Sequence, residues 1–246
     1  MRMALALALV GAVEGVGAGE GPADPNPSRL MFAPTARPLR AGQGYFSDHQ
    51  LLFPGVALGI TDHLSLAGGV SVLPGFGLAD QIFYVAPKLG FQLSEKVAVA
   101  AGGFYGAVGP DDFGDLGAGY AVATVGPPGR SLTAGLGVGK ELDTFAHAAP
   151  ILLLGGDLRV ARHVSLVGEG WIFLSGVRAS QQPLILGVRF FNQRLSADVG
   201  FLVVPALLDE GLPIPWLSVT WHFGAGHGEG AARAPTAPYR PSLRRK

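Results

Sequence analysis

The stretch ITDHLSLAGG, residues 60–69, is a polar turn followed by alternating apolar and small residues. The same outline returns near residues 95, 129, 162 and 193, so that successive copies lie 31 to 34 residues apart. That interval holds two strands of about 10 residues and one further connection, which are the dimensions of a membrane-spanning hairpin. The repeat therefore predicts a protein built from antiparallel strand pairs.

The composition is that of a membrane protein without spanning helices. Hydrophobic residues make up 48% of the 246 positions, charged residues only 15%, and the mean hydropathy is +0.36. Soluble domains carry about 25% charged residues, and no apolar run of about 18 residues follows the N-terminus. Since only helices and closed sheets satisfy every backbone polar group in hydrocarbon, a closed barrel remains. The zero net charge does not indicate a nucleic-acid partner, and the absence of cysteine excludes disulfides and a lipoprotein anchor.

The chain divides into four segments. Residues 1–18 have the short apolar run and the small-residue cleavage site of a signal peptide. Residues 19–28 are predicted to be a flexible periplasmic lead-in, residues 29–223 the barrel, and residues 224–246 a disordered basic tail. This organisation predicts the outer membrane of a bacterium as the location, with membrane lipid and the outer-membrane assembly machinery as partners.

The turns and connections set the strand count. With Arg29–Ala36 as the first strand and Pro215–Phe223 as the last, the sequence predicts an all-β, closed up-and-down antiparallel transmembrane β-barrel of about 12 strands. Both ends of the barrel then lie on the side of the five tight turns. Pro54 and Pro87 fall inside predicted strands, where bulges or strand ends are expected. The longer connections on the opposite side are PLRAGQG (38–44), PGFGLAD (74–80), GPDDFGDLG (109–117), KELDTFAHA (140–148), SGVRASQQP (175–183) and LLDEGLP (207–213).

Alternation within the strands separates two faces. Leu64 and Leu66 share one phase while Ser65 and Ala67 share the other, and a period of two is typical of a strand. A charge that faces lipid at the midplane costs roughly 2 to 4 kcal/mol, so the phase that carries the charges is predicted to face the lumen. The charges on this phase are Lys88, Asp157, Arg159, Glu169, Arg189 and Asp198.

These six residues form a predicted lumenal charge network. Arg189 is expected to meet Glu169 or Asp198 on an adjacent strand, in a hydrated lumen. Structural ion pairing is the first interpretation of the network, charge selectivity in a pore is the second, and catalysis is the third. Trp171 shares the lumenal phase and is expected to narrow the channel.

Residues 26–69, NPSRLMFAPTARPLRAGQGYFSDHQLLFPGVALGITDHLSLAGG, resemble the opening of a family of functionally uncharacterised, predicted outer-membrane β-barrel proteins of Gram-negative bacteria. The resemblance is clearest over this quarter of the chain. It implies the barrel and its location, and it supplies no catalytic residue.

The pair His63 and Ser65 could be half of a hydrolase site, because outer-membrane lipid hydrolases use this combination on a barrel strand. A serine nucleophile needs its base and the orienting group within hydrogen-bond reach. The positions that correspond to His63 in three other copies of the turn are Lys96, Arg130 and Arg194, so turn polarity is the preferred interpretation. The sequence predicts no catalytic residue.

Metal and cofactor signals are weak. His222 and His227 lack further ligands at useful spacing, and the segment 135–141, GLGVGKE, is too short for a phosphate-binding loop and lacks its Ser or Thr. The outer-loop residues Asp111, Asp112 and Asp115 could hold calcium, but a hydrated acidic loop is the preferred interpretation. No metal and no cofactor is predicted.

Four functions fit the sequence. The first is an outer-membrane barrel that conducts or binds a small solute or ion through a polar lumen. The alternative is a non-conducting envelope scaffold or binding barrel, and an outer-membrane lipid hydrolase is third. A soluble lipid-carrying barrel is fourth, because it would place the charged phase outside.

Overall fold

Twelve antiparallel strands close into one barrel in the computed structural model, which describes residues 22–107, 115–141, 148–208, 211 and 213–224. Each strand pairs with the next along the chain, and β12 pairs with β1. The predicted all-β, closed up-and-down antiparallel barrel is confirmed. No helix among these residues is long and apolar enough to cross a membrane. The strands are β1 (Gly44–His49), β2 (Phe53–Gly59), β3 (Leu64–Val70), β4 (Phe83–Ser94), β5 (Val97–Ala107), β6 (Leu116–Val125), β7 (Arg130–Glu141), β8 (Ala149–Ala161), β9 (Val164–Phe173), β10 (Leu184–Phe191), β11 (Leu195–Val203) and β12 (Ile214–Phe223).

The strands place large apolar side chains outside and small or polar side chains inside. Leu186, Val199 and Phe201 are about half exposed, whereas Thr124 and Ser165 have no exposed surface. An outer apolar belt is what lipid contact requires of a barrel wall. The two faces are those that the alternation predicts.

The first strand differs from the predicted one. Arg29–Ala36 is not a strand of the barrel, and the region after it, predicted as a single strand up to the turn at Asp62, is divided into β1 and β2. Gln50 and Leu51 form the dividing turn with φ angles of 58° and 59°. Neither is a residue type that favours positive φ, so the turn has no sequence signal. The predicted count of 12 holds because the strand lost at residues 29–36 is replaced by the strand gained here.

The connection PLRAGQG also lies on the opposite side from the predicted one. The Ala41 amide donates to the Asp62 carboxylate over 3.1 Å, and the Gly42 amide donates to the Gly59 carbonyl over 3.0 Å. Both acceptors belong to the end of β2 and the tight turn that follows it. This connection therefore leads into β1 from the short-turn side.

Residues 22–39, called the inner segment from here on, lie inside the barrel. Leu30, Met31 and Ala33 are buried, with exposed fractions of 1%, 0% and 0%. A single antiparallel bridge joins Arg29 to Pro34 and folds the segment back on itself. Residues 22–28, predicted as part of a periplasmic lead-in, lie in the lumen as well. Prolines at 25, 27, 34 and 38 remove backbone donors that a strand in the barrel wall would need.

The two prolines inside strands behave differently. Pro54 is the second residue of β2, which agrees with the expected strand end. Pro87 lies in the middle of β4, and the pairs Val85–Tyr105 and Lys88–Gly102 keep one register across it. The bulge or strand end expected at Pro87 is therefore absent. β4 continues through the proline, and Ala86 and Pro87 have no paired residue on β5.

Candidate functional site: the occupied lumen

Arg189 and Asp198 form a buried ion pair on the inner face of the barrel. They lie directly opposite each other on β10 and β11, and each has only 1% of its surface exposed. The Arg189 Nε donates to Asp198 Oδ1 over 2.6 Å, and Nη2 donates to Oδ2 over 3.1 Å. Asp198 is one of the two partners expected for Arg189. Glu169, the other, lies opposite Ile185 and has different partners.

Arg189 also holds the inner segment. Its Nη1 lies 3.2 Å from the Asp24 carboxylate and donates to the Asn26 carbonyl over 3.1 Å. Its Nη2 donates to the Leu30 carbonyl over 2.6 Å. A guanidinium has five N–H donors in a fixed fork, and this one divides them between a wall carboxylate and the segment.

Lys88 binds only backbone groups of the inner segment. Its Nζ donates to the carbonyls of Ser28, Thr35 and Arg37, at 2.9, 3.2 and 2.8 Å. These three bonds use the full donor capacity of an ammonium group. Among the described residues no carboxylate lies within ion-pair distance of this buried cation, so carbonyl dipoles replace the water it has lost.

Glu169 makes the complementary contact. Its Oε2 accepts from the backbone amides of Phe32 and Ala33, at 3.1 and 2.9 Å, and its Oε1 accepts from the Trp171 indole at 3.3 Å. The carboxylate therefore satisfies two amides at the bend of the inner segment. Trp171 lies on the lumenal face, as its phase predicts.

Asp157 and Arg159 stand apart from this group. Asp157 accepts a hydrogen bond from Ser131, whose Oγ in turn accepts from Arg37 over 3.2 Å, so its link to the inner segment passes through a hydroxyl. Arg159 donates to the backbone carbonyl of Arg162 in the adjacent turn and stacks on the Phe191 ring.

The six predicted residues thus do not form one network. Lys88, Glu169, Arg189 and Asp198 surround the segment, Asp157 is linked to it, and Arg159 belongs to the barrel rim.

The inner segment contributes polar residues that the sequence analysis did not identify as lumenal. Arg29 donates to Thr220 Oγ1 over 2.5 Å and lies 3.9 Å from Asp198. Arg37 donates to the Gly126 carbonyl over 2.6 Å, and the Ala36 amide donates to Thr124 Oγ1 over 2.9 Å. The sequence signal for a lumenal position of this segment is the combination of prolines and large apolar residues in 25–38, which favours an irregular packed segment over a strand.

His63 and Ser65 do not form a hydrolase pair. The His63 Nδ1 lies 3.3 Å from the Gly90 carbonyl, and its ring stacks on Phe91 at a turn. The Ser65 hydroxyl is buried in the lumen and donates to the Lys88 carbonyl over 3.4 Å. Each side chain bonds to β4 rather than to the other.

No group of three metal-ligating side chains occurs among the described residues. Asp111, Asp112 and His227 lie outside them. Asp115 accepts a hydrogen bond from the Tyr105 hydroxyl at 2.5 Å, and His222 is fully buried against the Tyr45 ring.

A cavity of about 300 Å³ remains between the inner segment and the inner faces of β1 to β9. The segment's contacts with β6 and β7, at Thr124 and Ser131, lie near the short-turn ends of these strands. Tyr84, Phe104 and Ile151 line the cavity and lie close to the opposite ends of their strands. The lumen is therefore filled toward the short turns and partly empty toward the longer connections.

Comparison with solved structures finds likenesses of fold. A solved structure described as KdgM porin in complex with disordered oligogalacturonate matches with a TM-score of 0.48 and 7% identity, covering 74% of this chain and 98% of the porin chain. No protein-family model and no curated protein matches the chain. The resemblance of residues 26–69 to an uncharacterised family stays a prediction.

Proposed function

We propose that the protein is a bacterial outer-membrane barrel that passes small solutes when the inner segment moves out of its place in the lumen. The observation that carries the proposal is the way Lys88, Glu169 and Arg189 bind the segment mainly through its backbone. Backbone groups can exchange such partners for water without leaving a buried charge in lipid. Such contacts allow the segment to leave the lumen and to return, as a gate must.

The position of the segment in the chain supports a reversible gate. Only residues 40–43 separate it from β1, so it stays close to the lumen after release. Rebinding is then intramolecular, with an effective concentration in the millimolar range or above for so short a link. The resting state is closed, and openings are transient.

The filled lumen also favours a second candidate, a non-conducting envelope scaffold. In that case the inner segment is a permanent part of the core, and its contacts serve stability alone. The two functions differ in whether the segment leaves its place in the folded protein, and a reversible tether on the segment distinguishes them.

The tether can be a disulfide, because the chain has no cysteine of its own. In the double variant Ala36→Cys/Thr124→Cys, the new thiols replace neighbours whose amide nitrogen and hydroxyl oxygen are 2.9 Å apart. We expect ion steps in planar bilayers from the reduced protein and none from the oxidised protein. Each single-cysteine variant is the control and should conduct under both conditions.

A reduced double variant that never conducts, while it migrates as a folded barrel in gels, would contradict the channel and favour the scaffold. Equal conductance before and after reduction, with the disulfide verified by mass spectrometry, would contradict the assignment of the segment as the gate.

A further inference from the structure

The cavity beside the inner segment has an aromatic lining that is built into the barrel wall. Tyr84 and Phe104 stack with their ring centroids 5.8 Å apart. The other aromatic residues of the lining are Phe32, Tyr45, Tyr120 and Trp171. Ligand sites are mostly apolar and start near about 300 Å³. The cavity has this size and character.

Glycines in the wall make room for the tyrosines. A Cβ built on Gly55 would lie 2.5 Å from the Tyr84 hydroxyl oxygen, and one built on Gly69 would lie 2.6 Å from a ring carbon of the same tyrosine. A side chain at either position would collide with the ring. Tyr84 therefore packs against β2 and β3 at positions that lack side chains. Tyr120 packs in the same way against Gly102 of β5. This packing leaves the space in front of the rings open.

The charge pattern around the cavity disfavours ionic ligands. Among the described residues that line it there is no Asp or Glu, and the cations are Lys88 and Arg29. Lys88 spends its donors on three backbone carbonyls, and Arg29 binds the Met31 carbonyl and Thr220. The positive charges repel a cation, and Lys88 has no donor left for an anion, so the described lining favours a ligand without charge.

One buried polar atom at the cavity has no partner. The His49 ring lines the cavity between Phe32 and Trp216, with centroid distances of 6.0 and 5.9 Å. The His49 side chain is among the buried polar groups, and its Nδ1 makes no hydrogen bond. Buried polar atoms are nearly always satisfied in native proteins, so His49 is the lining side chain with hydrogen-bonding capacity left for a ligand.

We propose that this cavity binds a small neutral aromatic molecule that carries one hydrogen-bonding group, such as a phenol. The ring packs against Tyr84, Phe104 and Tyr120, and the polar group meets His49. The proposal rests on the proposed function in one respect, since this ligand class is then the solute that the channel admits. Binding itself requires no passage and is measured without current.

The test is calorimetric titration of the full chain in lipid nanodiscs with 2-naphthol, a neutral probe, and 2-naphthoate, its anionic counterpart. Saturable binding of one 2-naphthol per barrel, with 2-naphthoate at least about tenfold weaker, is the expected result. Tighter binding of 2-naphthoate would overturn the assignment of a neutral ligand, and equal heats from protein and empty nanodiscs would overturn the site.

Two variants locate the binding. Ala86→Phe places a ring in the cavity and should abolish binding, whereas Ala101→Phe on the exposed outer face of β5 should leave it unchanged. His49→Phe keeps an aromatic ring and should weaken binding about three- to tenfold through loss of the hydrogen bond. Unchanged binding in both Ala86→Phe and His49→Phe, with folded-barrel migration in gels, would place the ligand elsewhere. Because the oxidised tether variant should still bind, loss of conductance and loss of binding are separate outcomes.

Discussion

A chain that lacks residues 22–39 should conduct ions continuously in planar bilayers, whereas the full chain should be closed most of the time. The deletion removes the material that fills the lumen and leaves an inner face of mainly small and polar side chains. A preference of only 1.4 kcal/mol for the closed state is a factor of ten in the equilibrium. The time-averaged conductance should therefore rise by roughly tenfold or more.

A matched control replaces residues 22–39 by a Gly-Ser linker of equal length. This linker keeps the tether, the chain length and a backbone, but it removes the Asp24 carboxylate that binds Arg189 and the buried side chains of Leu30 and Met31. It should conduct like the deletion variant. A deletion variant that folds and stays as closed as the full chain would show that the barrel wall, not the inner segment, closes the lumen.

Arg189→Ala should be the most destabilising single substitution in the lumen. It leaves Asp198, at 1% exposure, without its hydrogen-bonded ion-pair partner, and it removes the ion pair that holds Asp24 of the inner segment. Removal of one partner from a dry buried pair costs about 3 to 5 kcal/mol. The free energy of unfolding in urea should fall by about that amount. The hydrated lumen expected from sequence would have given a smaller loss of about 1 to 3 kcal/mol.

The double variant Arg189→Ala/Asp198→Asn should recover part of the stability, because it no longer buries an unpaired carboxylate. Arg194→Ala, an exposed arginine in the turn between the same two strands, is the control and should unfold like the wild type. A loss for Arg189→Ala as small as that for Arg194→Ala would mean that the buried pair does not stabilise the protein.

The fold was largely predictable because its determinants are local. A turn signal every 31 to 34 residues fixes the hairpins, and a period of two fixes the faces. Arg189 and Asp198 can therefore be assigned to the lumen and to adjacent strands from the sequence alone. Their direct opposition in the register follows from the tight turn that joins β10 to β11.

The lumen contents were not predictable in the same way. Arg29–Ala36 contains a short apolar run, Leu30 to Ala33, that can pass for a strand, and such a run does not reveal whether a segment pairs within the wall or packs inside it. The second carboxylate that pairs with Arg189, Asp24, is 165 positions away in sequence and has no local signal. The turn at Gln50 and Leu51 was missed because neither residue is a usual turn former.

The reactivity of a single cysteine at position 124 tests the central claim, that the inner segment occupies the lumen and closes it, most directly. Thr124 has no exposed surface and contacts the Ala36 amide, while its neighbour Ala123 faces lipid. In bilayers, Thr124→Cys should resist a membrane-impermeant maleimide in the full chain and react rapidly once residues 22–39 are deleted. Ala123→Cys should stay unreactive in both. Rapid reaction of Thr124→Cys in the full chain, or none in the deletion variant, would contradict the account.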